Sequence, residues 1–180
     1  MIMTYRECRE KFGSAYWVSK AVEQGLLTKV EEGVYSDAGP VSELAVISFK
    51  YPKGVMAFES AYFYHDLTDV IPDYYYMATP SHSAPIADSR VKQYYSPPGI
   101  YPIGIETMEF SGDKIKVYDL ERLLVDTARM KSKLPPDLYK EVILAFRTRA
   151  DKLSTEKIGE YLERFPKRNM IERILYEEVF

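Results

Sequence analysis

Hydrophobic and polar positions follow a helical period at both ends of the chain and a strand-like one in the middle. Residues 5–12 predict a short helix, and Gly13-Ser14 breaks it and caps a second one running to about Gln24, where Gly25 stops it. On that second helix Val18, Ala21 and Val22 share one face with Leu26 closing below, so Tyr16, Trp17, Ser19, Lys20 and Glu23 point outward. Residues 26–30 predict a strand, Glu31-Glu32-Gly33 a tight turn and Val34-Tyr35-Ser36 a return strand. Asp37-Ala38-Gly39-Pro40 punctuates the chain. Beyond it come a helix over 41–50 capped by Ser42, a short strand at 55–57 and a helix over 59–67. Strands follow at 74–79, 91–95, 103–110 and 114–118, the last two joined by the turn Ser111-Gly112-Asp113. From Asp119, a natural cap, the period is helical again: 119–130, 138–150, a helix opening at Ser154-Thr155-Glu156, and 169–178 after Pro166.

Helix, turn, helix and hairpin within so few residues outline a small winged helix-turn-helix over residues 1–37. A mixed α/β domain follows over 38–180 and ends in a helical part, giving the α+β class. The N-terminal outline is used far more often to read DNA than to do chemistry. Its second helix would enter the major groove. Ser14 and the first backbone N–H groups suit a phosphate, and Lys20 suits a phosphate or a guanine edge. Tyr16, Trp17 and Ser19 share that outward surface, and Lys29 belongs to the wing. These six residues are the candidate DNA contacts.

Charge tempers this reading. The chain carries a net −3. In residues 1–36 Arg6, Arg9, Lys11, Lys20 and Lys29 are balanced by Glu7, Glu10, Glu23, Glu31 and Glu32. A neutral reader with an acidic wing implies modest, salt-sensitive affinity. The alternative is a protein-interaction module without DNA binding, with Trp17 as its anchor. Sixteen tyrosines, several in the run Tyr74-Tyr75-Tyr76, fit half-buried strands or a partner surface.

Catalytic chemistry is sparse. Cys8 is the only cysteine and His65 and His82 the only histidines, so no thiolate cage or helical metal-ligand pair arises. His65 reads as a structural or capping residue. No glycine-rich phosphate loop is present. A metal-dependent nuclease with a DNA-targeting head is the enzyme alternative, with Asp113, Asp119 and Glu121 beside Lys114 and Lys116 as its carboxylates and lysines. Asp126 is placed to pair with Arg122 or Arg129. The basic groups Arg147, Arg149, Lys152 and Arg129, Lys131, Lys133 are either partner surfaces or solvated helix faces. No membrane-length apolar run or secretion signal is seen, so a cytoplasmic location is expected, with no cofactor and no metal.

The body also carries an ordered set of motifs: Ser42-Glu43-Leu44, Tyr51-Pro52-Lys53-Gly54-Val55, Glu59-Ser60-Ala61-Tyr62-Phe63-Tyr64-His65-Asp66-Leu67-Thr68-Asp69, Ile71-Pro72, and Val117-Tyr118-Asp119-Leu120-Glu121-Arg122-Leu123-Leu124-Val125-Asp126. With Gly25-Leu26-Leu27 and Gly33-Val34-Tyr35 before them, these resemble the AbiEi-type antitoxins of bacterial abortive-infection (type IV) toxin–antitoxin pairs. The resemblance spans nearly the whole chain. It implies a non-enzymatic protein whose winged helix binds inverted repeats in its own promoter and represses its operon. It implies a body that helps to neutralise a cognate nucleotidyltransferase-like toxin. Two departures stand out: a shortened start before the recognition helix, and Glu31-Glu32 where family members commonly place a basic residue before the glycine. No catalytic residue carries over.

Overall fold

A computed structural model describes residues 1–180 as a mixed α+β fold with eight α-helices and two sheets. The chain divides into two compact units, Met1–Pro52 and Lys53–Phe180. The punctuation at 37–40 lies inside the first unit.

The first unit runs β1 (Ile2–Thr4), α1 (Tyr5–Phe12), α2 (Ala15–Glu23), β2 (Thr28–Glu31), β3 (Val34–Ser36) and α3 (Glu43–Lys50). Thr4 and Glu7 form a reciprocal capping box at the start of α1: the Glu7 N–H donates to Thr4 Oγ1 (3.2 Å) and the Thr4 N–H to Glu7 Oε2 (2.6 Å). Gly13, at φ +95°, ends α1 by donating its N–H to the Arg9 carbonyl. Ser14 caps α2 by accepting from the Trp17 N–H at 3.4 Å. The three strands lie in the order β1-β3-β2, all antiparallel, with an irregularity between Lys29 and Glu31. Met3, Cys8, Val18, Ala21, Leu27 and Tyr35 form the core, with Phe12 and Val22 packed against it.

Two expectations need correction here. Leu27, at 1% exposure, closes the core below α2, whereas Leu26 is 60% exposed. Both N–H groups fold back onto the Ala21 carbonyl, which turns the chain so that the second leucine, not the first, faces inward. The strand β1 was also not anticipated: its three residues are too few to show an alternation, and its pairing to β3 (Ile2↔Ser36) is a long-range event.

The second unit contains β4 (Val55–Met56), α4 (Phe58–Tyr64), β5 (Tyr75–Pro80), β6 (Val91–Ser96), β7 (Ile105–Phe110), β8 (Asp113–Tyr118), α5 (Leu120–Arg129), α6 (Pro136–Arg147), α7 (Thr155–Leu162) and α8 (Arg168–Glu178). The sheet order is β6-β5-β4-β8-β7. Strands β5 and β6 pair in parallel and β7 and β8 form an antiparallel hairpin. The two-residue β4 joins these halves, antiparallel to β5 and parallel to β8 at Met56↔Val117.

Helix α5 is the spine, packing against α4, α6, α7 and α8. Every residue from Glu121 to Ala128 is buried, which a one-sided amphipathic stripe does not suggest. Helix α4 ends at Tyr64, short of the expected Leu67. His65 caps it, Asp66 turns at φ +54°, and the Arg149 guanidinium takes the His65 and Asp66 carbonyls at 2.7 and 2.6 Å. Helix α6 starts at Pro136, earlier than expected, because a proline suits a first helical position whose N–H has no partner.

Candidate nucleic-acid interface

The outward surface of α2 begins at its cap. Ser14 is extended (φ −152°) and opens the helix; beyond it Tyr16 and Trp17 are 62% and 58% exposed and meet edge to face, ring centroids 5.3 Å apart. One turn on, Lys20 lies over the Tyr16 ring at 6.0 Å and donates to Glu23 Oε2 at 2.8 Å. Ser19 is exposed beside it. The opposite side of the helix carries buried Val18 and Ala21, with Val22 packed against the same core.

Lys29, on β2, makes no contact with this aromatic cluster. Its ammonium donates to Glu32 Oε2 at 2.8 Å. That hydrogen bond raises the lysine and lowers the carboxyl from their ordinary values. The second wing carboxylate, Glu31, pairs with Lys50 at 2.6 Å. Both candidate lysines are therefore neutralised within the unit. Exposed pairs of this kind are worth only ~0–1 kcal/mol, so a phosphate can replace the carboxylate at little cost.

A cation outside the sequence-derived candidate set lies nearby in the chain. Arg9, on α1, makes no side-chain hydrogen bond or ion pair, and it lines a depression with Tyr5, Arg6, Glu10 and Gly13. The sequence did carry a signal for it: Arg6 and Glu10 stand at i,i+4 and pair at 3.0 Å, leaving Arg9 over. The other cation of α1, Lys11, is committed to Asp37 at 2.6 Å; that bond and one from the Met1 ammonium hold the Asp37 carboxyl down at about 2.

In the second unit, two of the three carboxylates of the nuclease alternative, Asp119 and Glu121, serve the scaffold, and the third, Asp113, opens β8. Asp119 caps α5 through the Arg122 N–H (2.8 Å) and also accepts from Tyr161 Oη (2.7 Å) and Lys157 (2.9 Å). Glu121 accepts from the Ser154 N–H (3.0 Å) and Lys157 (3.2 Å). No set of three or more His, Cys, Asp and Glu side chains is grouped to hold a metal ion. His65 Nε2 donates to the Tyr118 carbonyl at 2.8 Å. Asp126 pairs with both Arg122 and Arg129. Of the basic groups, Arg147 bonds the Glu178 carbonyl and Lys131 the Glu178 carboxylate. With Arg149 on the α4 end, only Lys133 and Lys152 are left without such bonds.

Glu121 makes acid sensitivity predictable. Burial raises its carboxyl, but the Ser154 N–H, its own backbone N–H and Lys157 outweigh burial and leave it below the ordinary 4.5. A depressed carboxyl contributes stability that is full above the unfolded value and is lost as pH falls through the lower folded one. Thermal midpoints should therefore drop below pH 4.5, and Glu121→Gln should start lower at neutral pH and show a shallower acid limb. Parallel acid limbs in melts of the two proteins would refute this role.

Compared with known proteins, the chain matches no family model and no curated protein.

Proposed function

We propose that this chain is a DNA-binding transcriptional autorepressor and antitoxin. In this reading the first unit is a winged helix that binds inverted repeats in its own promoter, and the protein counters a nucleotidyltransferase-like toxin. The observation that carries the DNA half is the outward face of α2: a serine-capped N-terminus followed by exposed Tyr16, Trp17 and Ser19 and half-buried Lys20, on a helix preceded by another and followed by a hairpin. The antitoxin half is supported by the resemblance of the body motifs to AbiEi-type antitoxins.

Mobility shifts with the DNA upstream of the gene test the first half. Retardation is expected at low salt. Each phosphate contact removed, at Lys20, Lys29 or Arg9, should reduce the slope of log K against log salt by about 0.9. The triple alanine variant should lose binding altogether. No retardation at low salt by folded protein would end the DNA reading. Co-expression with the neighbouring toxin tests the second half: growth should be restored, and failure of soluble antitoxin to restore it would count against the pairing.

A second reading, a protein-interaction module, is favoured by the two exposed aromatics and by the ion pairs that occupy Lys20 and Lys29. It predicts no retardation at all, together with a stable complex that Trp17→Ala weakens.

A further inference from the structure

The second unit holds a cavity of 220 Å³ against the inner end of β6 and the exit of α5. That is smaller than the ~300–1,000 Å³ of clefts for drug-sized ligands. Its lining includes Phe58 and Tyr94, whose rings lie 4.8 Å apart, together with Ser96, Arg122, Arg129 and Lys133.

The polar atoms of this lining are incompletely used. Ser96 Oγ is fully enclosed beside Tyr118 Oη, which donates to the Tyr101 carbonyl at 2.9 Å and keeps its lone pairs for the serine, so the unused groups lie on the cations. Arg122 is 1% exposed and bonds through Nε and Nη1, leaving Nη2 without a hydrogen bond. Arg129 spends Nε and Nη2 on Asp126 and keeps Nη1. Lys133 stands at the rim with no ion pair. Against these three cations the lining offers one carboxylate, Asp126, and both its oxygens are taken. Burial, with Glu59 nearby, pushes the Tyr94 phenol up to about 12, so it stays a neutral donor.

We propose that this cavity binds a small organic anion, a phosphate or carboxylate head group held by Arg122, Arg129 and Lys133, with a planar body lying along Phe58 and Tyr94. Donors outnumber acceptors and positive charge exceeds negative, which selects an anion; the aromatic wall selects a flat apolar body; the volume limits its size. The site lies wholly within the second unit and stands whether or not the first unit binds DNA.

Titration calorimetry with the intact chain at low salt tests it. The probes are phenyl phosphate and salicylate, with phenol and salicylamide as their uncharged counterparts. At least one anion should bind, and its counterpart should bind at least about tenfold more weakly, the loss of one charge-assisted contact. Binding of phenyl phosphate alone assigns a phosphate head group, and of salicylate alone a carboxylate. Lys133→Glu changes an exposed residue and leaves the fold intact; it should weaken binding at least about tenfold. Absence of binding by either anion up to about 10 mM, an affinity too weak to be specific, would overturn the proposal. So would binding that Lys133→Glu leaves unchanged.

Discussion

Replacing Arg122 by methionine is expected to cost the second unit about 3–5 kcal/mol, the usual price of breaking a buried ion pair from one side. The guanidinium is 1% exposed. It bonds Asp126 Oδ2 at 2.8 Å and the carbonyls of Ile103 (2.7 Å) and Ile100, and it lies between the rings of Tyr118 and Phe165, 4.1 and 4.8 Å from their centroids. Methionine fills much of the volume but leaves two carbonyls and half of a carboxylate unpaired. Lysine keeps the charge yet cannot present several N–H groups in one plane, so Arg122→Lys should also be clearly destabilised. Changing Asp126 to leucine in the methionine background removes the orphaned charge and should recover part of the loss. Urea unfolding gives the answer directly. A loss under ~1 kcal/mol for Arg122→Met, within the range of a net ordinary hydrogen bond, would show that the network is dispensable.

Gly104→Ala is the second large effect. Gly104 sits at φ +73°, and its carbonyl accepts the Asp119 N–H at 2.7 Å. A Cβ there would lie 2.6 Å from the Arg122 Cβ and 3.0 Å from Asp119 Oδ1. The left-handed backbone alone costs a non-glycine residue ~1–2 kcal/mol, and overpacking adds ~1–3. The obstacle is helix α5 near its first turn rather than the tip of a flexible side chain, so relief requires the spine of the unit to shift. Gly112 provides the control: it has φ +89° but open space around its Cβ position, so Gly112→Ala should show the backbone cost only. Equal losses at the two glycines in denaturant unfolding would show that the close approach to Arg122 carries no energy.

How much of this was legible in the sequence depends on the range of the interaction. Helix starts at Ser14, Ser42, Asp119 and Ser154 were readable because a capping side chain bonds an N–H three residues on, and all four do so. The pairing of Asp126 with Arg122 and Arg129 was readable for the same reason, as a spacing on one helix. The burial of that triad was not, because it depends on carbonyls at Ile100 and Ile103 brought up by a different part of the chain. Strand β1 and the central place of β4 escaped for a related reason: two or three residues carry no period, and only a partner strand defines them. At the candidate interface the outward positions of α2 followed from helical geometry. The neutralisation of Lys20 and Lys29 emerged only from the side-chain contacts, whereas the spare cation Arg9 was legible in the i,i+4 spacing of Arg6 and Glu10.

The division of labour on α2 has a consequence for how such a surface can change. Its cap, Ser14, and its inward residues, Val18 and Ala21, hold the helix in place; Tyr16, Trp17 and Ser19 are exposed and stand outside the core formed with Met3, Cys8, Leu27 and Tyr35. Substitutions at exposed positions of this kind usually alter stability by no more than ~0.5 kcal/mol. The outer face can therefore be rewritten residue by residue, each intermediate remaining folded, so whatever it recognises can diverge among descendants of this chain without passing through an unstable ancestor.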